Sequence, residues 1–191
     1  MARRESRMLE LGTPALEFAL PDPSGKVHRL GDFAASPVLL VAFICNHCPY
    51  VKHILGGFAA FARDYGTKGL AVVAINPNDA EAYPADGPAA MADVARQFGF
   101  TFPYLCDESQ RVALAYQAIC TPDFYLFDSD RRLVYRGQFD DSRPGGDIPV
   151  TGASLRSAVD ALLHGRPVFG EQLPSVGCSI KWKPDNAPDW A

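Results

Sequence analysis

The chain has 191 residues, 48 % hydrophobic and 21 % charged, the balance of one folded domain rather than of a disordered, collagenous or coiled-coil chain. Lys plus Arg number 18 and Asp plus Glu 22, a formal net charge of -4, which gives no electrostatic reason to expect nucleic acid. Five cysteines, at 45, 48, 106, 120 and 178, are too few for a disulfide scaffold and odd in number.

The N-terminus, Met-Ala-Arg-Arg-Glu-Ser-Arg, starts as a signal peptide might, but Met8 to Pro14 offers no apolar h-region. Arg3-Arg4 therefore reads as a solvated terminus and the chain as cytoplasmic. No apolar run approaches the roughly 18 residues that cross a bilayer, so no membrane partner is expected.

Leu16-Glu17-Phe18-Ala19-Leu20 alternates as a strand does. Pro21 to Gly25 is turn chemistry, and Val27 to Leu30 returns as the second strand of a hairpin. Val38 to Ile44 is a continuous apolar run, the pattern of a strand buried on both faces. After Pro49, apolar residues at 51, 54, 55, 58, 61, 62 and 65 follow helical spacing up to Gly66. Leu70 to Ile75 is a second buried strand, closing a βαβ unit.

Asn76 to Pro88 is polar and proline-rich and reads as a long loop of the kind that carries function. Helices are expected over 89–98 and 109–118. Phe124 to Phe127 and Leu133 to Tyr135 flank an Asp-Ser-Asp-Arg-Arg turn as a hairpin, and Leu155 to Leu163 forms a last helix before Gly165 and Pro167. From there the composition shifts to a tail of little periodicity that holds Trp182, Trp190 and Cys178. No repeat or second domain is visible. One domain is expected, with a core over about 12–165 and an irregular tail over about 166–191.

Ile44-Cys45-Asn46-His47-Cys48-Pro49 joins the buried strand to the helix. A thiol in that turn faces unpaired backbone N–H groups and the positive end of the helix dipole, which stabilise thiolate. A second cysteine three residues on is close enough to close a small disulfide ring, and His47 adds charge or a hydrogen bond. Cys45 is thus read as attacking a substrate disulfide and Cys48 as resolving the mixed disulfide. Cys45, His47, Cys48 and His53 also lie within nine residues, a ligand set for a metal-binding module or copper chaperone. Against it, His53 sits about 140° round the helix from Cys48.

At these residues the chain resembles thioredoxin-fold proteins of the redoxin (AhpC/TSA) superfamily, and more narrowly its peroxiredoxin-like branch. The resemblance rests on Leu16 to Asp22, Cys45 to Tyr50, Phe102 to Asp107 and Thr121-Pro122-Asp123-Phe124, with the tail Gly177 to Trp182 particular to this branch. It implies a thioredoxin-like α/β fold, a central mixed β-sheet flanked by helices, with an N-terminal β-hairpin and a C-terminal irregular tail. It implies Cys45 as nucleophile and Cys48 as resolver, with Asn46, His47, Pro49, Thr121 and Pro122 in support and Pro122 cis. Peroxiredoxins carry Pro and Thr where this chain has Val38 and Ala42, and typical thioredoxins bury a carboxylate at the position of Ala42.

Cys120, two residues before Pro122, is read as a possible third redox thiol or a small apolar residue. Cys106 is read as core, and Cys178 as a packed or idle tail thiol unless it swings over the site or pairs between chains. Arg136 is an electrostatic candidate in the polar cluster after the last strand. Asn78 and Asp79 in the long loop have the same standing. The leading function is thiol-disulfide oxidoreduction on protein or small-molecule thiols and disulfides, recharged by an external thiol reductant. The second is a thiol-dependent peroxidase acting on hydroperoxides. Neither calls for a cofactor or metal, and the oligomeric state is not legible.

Overall fold

The computed structural model describes residues 2–190; Met1 and Ala191, the two ends of the single-domain reading, lie outside the described residues. A five-stranded mixed sheet forms the centre. Its strands are β4 (Val38–Phe43), β5 (Leu70–Asn76), β6 (Tyr104–Cys106), β8 (Asp123–Phe127) and β9 (Leu133–Gly137). They lie in the order β6-β5-β4-β8-β9. β4, β5 and β6 run parallel, and β8 and β9 pair antiparallel beyond β4.

Every residue of β4 is buried, as a strand covered on both faces must be. Val38, Leu40 and Ala42 enter one core, with α1 (Pro49–Gly66) and α4 (Ala153–Leu163). Leu39, Val41 and Phe43 enter the other, with α3 (Arg111–Ala115) and the N-terminal hairpin of β2 (Ala19–Pro21) and β3 (Val27–Arg29). A helix α2 (Pro88–Phe98) follows the long loop, packs on the first core and ends at Gly99, whose φ of 61° is left-handed. Among the described residues no helix is long and apolar enough to cross a membrane.

Two expectations are corrected. The helix over 109–118 shrinks to five residues, because Gln110 and Gln117 adopt left-handed φ of 61° and 52° and turn the chain at both ends. The tail is not irregular throughout. β10 (Val176–Ser179) lies between β1 (Arg3–Glu5) and β7 (Cys120–Thr121) in a separate antiparallel sheet. Ile180 and Trp182 then pack on the second core. The Arg3 and Arg4 side chains are exposed, as expected, but their backbone is the edge strand of that sheet.

Candidate active site

β4 ends one residue before Ile44, and α1 begins at Pro49, where a missing N–H costs nothing. The residue ahead of it, Cys48, holds the N-cap position, and no oxygen side chain caps the helix there. The Val51 amide in the first turn instead helps to hold the Cys48 thiol below its ordinary value. Cys45 lies in the loop just before, and all five cysteines are free thiols.

Thr121 faces both sulfurs. Its hydroxyl lies 3.1 Å from Cys45 Sγ, and its carbonyl accepts from Cys48 Sγ at 3.1 Å. The Thr121–Pro122 bond is cis, as the resemblance implies.

Both thiols are buried, at 1 % and 0 % exposure, so exchange with a partner requires local opening. The hydrogen bond from Cys45, the Cys178 thiol and the Val51 amide hold Cys48 down to about 5 against its own burial. Cys45 is pushed up by that same bond to Cys48, by burial and by the nearby Asp86 carboxylate. Thr121 offers the reverse arrangement, its hydroxyl donating to a Cys45 thiolate while its carbonyl accepts from the Cys48 thiol. Thr121 thus favours the charge on Cys45 and the proton on Cys48, while the Cys178 thiol and the Val51 amide favour the charge on Cys48.

The long loop supplies the group that sequence reasoning missed. Asp86, 2 % exposed, ends a short 3₁₀ turn, Pro84–Asp86. Its Oδ1 accepts the Asn46 and His47 backbone N–H groups at 2.7 and 3.2 Å. Its Oδ2 meets His47 Nδ1 at 2.5 Å and accepts Asn78 Nδ2 at 2.8 Å. One carboxylate therefore pins the loop between the two cysteines and orients the imidazole. The other ring nitrogen, Nε2, is buried with no hydrogen-bond partner. Tyr83 stacks on the ring at 5.2 Å. Asn46 is held from two sides, by the Ala85 carbonyl and the Tyr104 hydroxyl. Nothing in the spacing of the chain points to Asp86, some 40 residues from Asn46; its only signal is an acid inside a long loop.

Cys45 Sγ, an imidazole nitrogen of His47 and a carboxylate oxygen of Asp86 lie within 4.8 Å of one another. Ligands of one tetrahedral zinc at about 2.0–2.2 Å from the ion stand more than about 3 Å apart. The 2.5 Å between His47 and Asp86 is instead a hydrogen-bond distance. His53 turns away and bonds Ser142.

Of the remaining candidates, Asn78 belongs to the site, bridging Asp86 to the Lys181 backbone of the tail. Asp79 caps its own turn at Glu81. Arg136 bonds the Leu9 carbonyl and Gln172, and none of these partners belongs to the thiol site. Cys120 is buried with its sulfur 3.7 Å from the Pro122 carbonyl. Cys106, expected in the core, is half-buried beside Met91, and burial raises it to about 11. Cys178 is buried against Cys48, so the tail thiol reaches the site as part of a strand.

Two solved structures are similar over nearly the whole chain. One is a hypothetical protein from Sinorhizobium meliloti 1021, 54 % identical with a TM-score of 0.93, matching 94 % of this chain and 98 % of that one. The other is an uncharacterized conserved protein from Geobacillus kaustophilus, 56 % identical with a TM-score of 0.94, matching 96 % and 98 %. The thiol-disulfide oxidoreductase ResA of Geobacillus kaustophilus (strain HTA426) is 26 % identical over 132 residues, 66 % of this chain and 68 % of that protein. The model of the AhpC/TSA family matches residues 11–136. That span holds β4, both cysteines, Asp86 and Thr121–Pro122, the parts from which the site is built, and by it the chain belongs to the AhpC/TSA family.

Proposed function

We propose that this chain is a thiol-disulfide oxidoreductase whose redox couple is Cys45–Cys48. The observation that carries it is two free thiols, three residues apart at a helix N-terminus and both facing Thr121. Similarity to ResA, named a thiol-disulfide oxidoreductase, supports the same reading. Cys45 thiolate attacks one sulfur of a substrate disulfide, and the first substrate thiolate leaves with a proton. Cys48 thiolate then attacks Cys45 Sγ, the mixed disulfide breaks, and the second substrate thiol departs. The substrate disulfide gains two electrons and the enzyme pair loses two; an external thiol reductant restores them. The cytoplasm, where such reductants are abundant, is the setting we assign.

The His47–Asp86 pair takes the place of the carboxylate that typical thioredoxins bury where Ala42 stands. The imidazole receives the proton as Cys45 becomes nucleophilic, and Asp86 holds its orientation. Asp86→Asn sets an amide against the His47 and Asn78 donors. Attack on a small aromatic disulfide should slow about 10²-fold while the Cys45–Cys48 disulfide still forms. An unchanged rate, followed by thiolate release under excess disulfide, would reduce Asp86 to a structural anchor.

The test of the function is titration of the purified chain against graded ratios of reduced to oxidised dithiothreitol, with free thiols counted by alkylation and mass. One reversible two-electron couple is expected, lost in Cys48→Ala. In that variant a mixed disulfide should accumulate on Cys45. A wild-type chain that never forms the Cys45–Cys48 disulfide under any ratio would overturn the reading. A hydroperoxide reaction is the second reading, favoured by the Thr121 hydroxyl, which stands beside Cys45 although residue 42 offers none. Cys45 would then be oxidised to sulfenic acid, releasing an alcohol, and Cys48 would condense with it, releasing water. Peroxide consumption sustained by dithiothreitol and abolished in Cys45→Ser is its signature.

A further inference from the structure

Cys178 lies 130 residues from Cys48, yet the fold delivers it to the same residue. In the antiparallel pairing of β10 with β7, Cys178 stands opposite Thr121. Directly opposed residues in such a pair share a face of the sheet. Thr121 is also the residue that contacts Cys45 through its hydroxyl and Cys48 through its carbonyl. Three sulfurs therefore gather round one threonine, all three in the same buried core. α1, which starts directly after Cys48, lies against β10, and the Cys48 and Cys178 thiols influence each other.

The neighbouring residue shows how closely the strand is laid down. A Cβ on Gly177 would stand 2.0 Å from the Thr121 carbonyl oxygen and 2.5 Å from its carbon. Only a residue without a side chain lets β10 approach Thr121–Pro122 so closely. Cys178 is 4 % exposed, so a soluble partner does not reach it in the closed fold, whereas Cys48 does.

We propose that Cys178 is a second resolving thiol, which takes over the disulfide from Cys45–Cys48 by internal exchange. The proposal rests on the reading of Cys45–Cys48 as the redox couple. Cys178 loses its proton and its sulfur attacks Cys48 Sγ. The Cys45–Cys48 bond breaks, the Cys48–Cys178 bond forms, and Cys45 leaves as thiolate and takes up the proton that Cys178 gave up. No electron enters or leaves the chain. The product keeps the oxidising equivalents buried between α1 and β10 and returns Cys45 as a free thiol. Oxidised enzyme thus exists as two disulfide isomers, one with its nucleophile consumed and one with it restored. Cys120 does not serve this role, since strand alternation sets its side chain on the face opposite that of Thr121.

The experiment equilibrates the full chain with glutathione disulfide, which is reduced to two glutathione thiols for each intrachain disulfide formed. Remaining thiols are then blocked with N-ethylmaleimide at mildly acid pH, and the disulfide-linked peptides are mapped by mass spectrometry. Wild type should yield both Cys45–Cys48 and Cys48–Cys178 peptides. Cys45→Ser, unable to make the first, should form Cys48–Cys178 alone, reversibly with dithiothreitol. Cys45→Ser combined with Cys178→Ser should lose intrachain disulfide entirely. A wild type that yields only Cys45–Cys48 overturns the proposal and leaves the redox couple standing, and a folded Cys45→Ser that forms no disulfide agrees with that outcome. A wild type that forms neither disulfide overturns the redox couple itself. The wild-type map needs no variant, so it decides the proposal even where Cys45→Ser fails to fold.

Discussion

Replacing Asp123 with Asn is expected to abolish a steep loss of stability between about pH 4 and pH 8. Asp123 opens β8 directly after Pro122, opposite Phe43 of β4, and is fully buried. Burial raises its carboxyl to about 8, against the hydrogen bonds from the Tyr125 hydroxyl at 2.9 Å and the Phe124 N–H at 3.1 Å. The folded chain therefore keeps this proton through a range in which the unfolded chain has lost it. Stability from this group is fully present below about pH 4, falls as pH rises, and is gone above about pH 8. At 1.36 kcal/mol for each pH unit of that window, the loss is on the order of 5 kcal/mol. Asn cannot ionise. Its amide serves one of the two donors, so the variant should lose about 1 kcal/mol at pH 4 and gain several at pH 9. Urea midpoints of wild type and variant at pH 4, 6, 8 and 9 decide it, because every other titrating group cancels in the difference. Parallel profiles would show that Asp123 ionises in the folded state without cost.

The position of that carboxyl also marks a limit of what the sequence reveals. β4, α1 and β5 are legible because each declares itself locally: six apolar residues in a row, a 3.6-residue period, a second apolar run. The cysteine pair is legible for the same reason, its spacing and junction lying within a few residues. Thr121–Pro122 comes from family resemblance. Asp86 is not legible, since its role depends on a loop folding back to residues 46 and 47, and no local pattern encodes that return. β10 is hidden because four residues with two small ones, Gly177 and Ser179, show no alternation, and their partners lie at the N-terminus and at Cys120–Thr121. Cys178 looks idle in the sequence for that reason alone. Ala42 signals the loss of a buried acid beneath the thiols. The structure has Asp123 one residue along on the adjacent strand, on the sheet face opposite α1, and sets a histidine–carboxylate pair beside Cys45 instead.

Gly177→Ala is the second large effect, and it tests whether β10 is part of the site or an appendage to it. The added methyl meets backbone, the Thr121 carbonyl oxygen at 2.0 Å, and neither chain has a flexible side chain to move aside. Relief requires β10 to separate from β7, which breaks their pairing and strips cover from Ile180 on the second core. A cost of about 3 kcal/mol is expected, the upper end for overpacking. The same shift carries the Thr121 carbonyl away from the Cys48 thiol, so the Cys45–Cys48 couple should move in potential as well as the fold in stability. Gly56 supplies the contrast. It lies exposed within α1 with nothing near its would-be Cβ, and Gly56→Ala should stabilise the chain by up to about 1 kcal/mol. It should also leave the couple unmoved. The same methyl then acts with opposite signs at two glycines, and only one of them reaches the thiols. A Gly177→Ala chain as stable as wild type, with an unchanged Cys45–Cys48 potential, would mean that β10 does not press on Thr121 in solution.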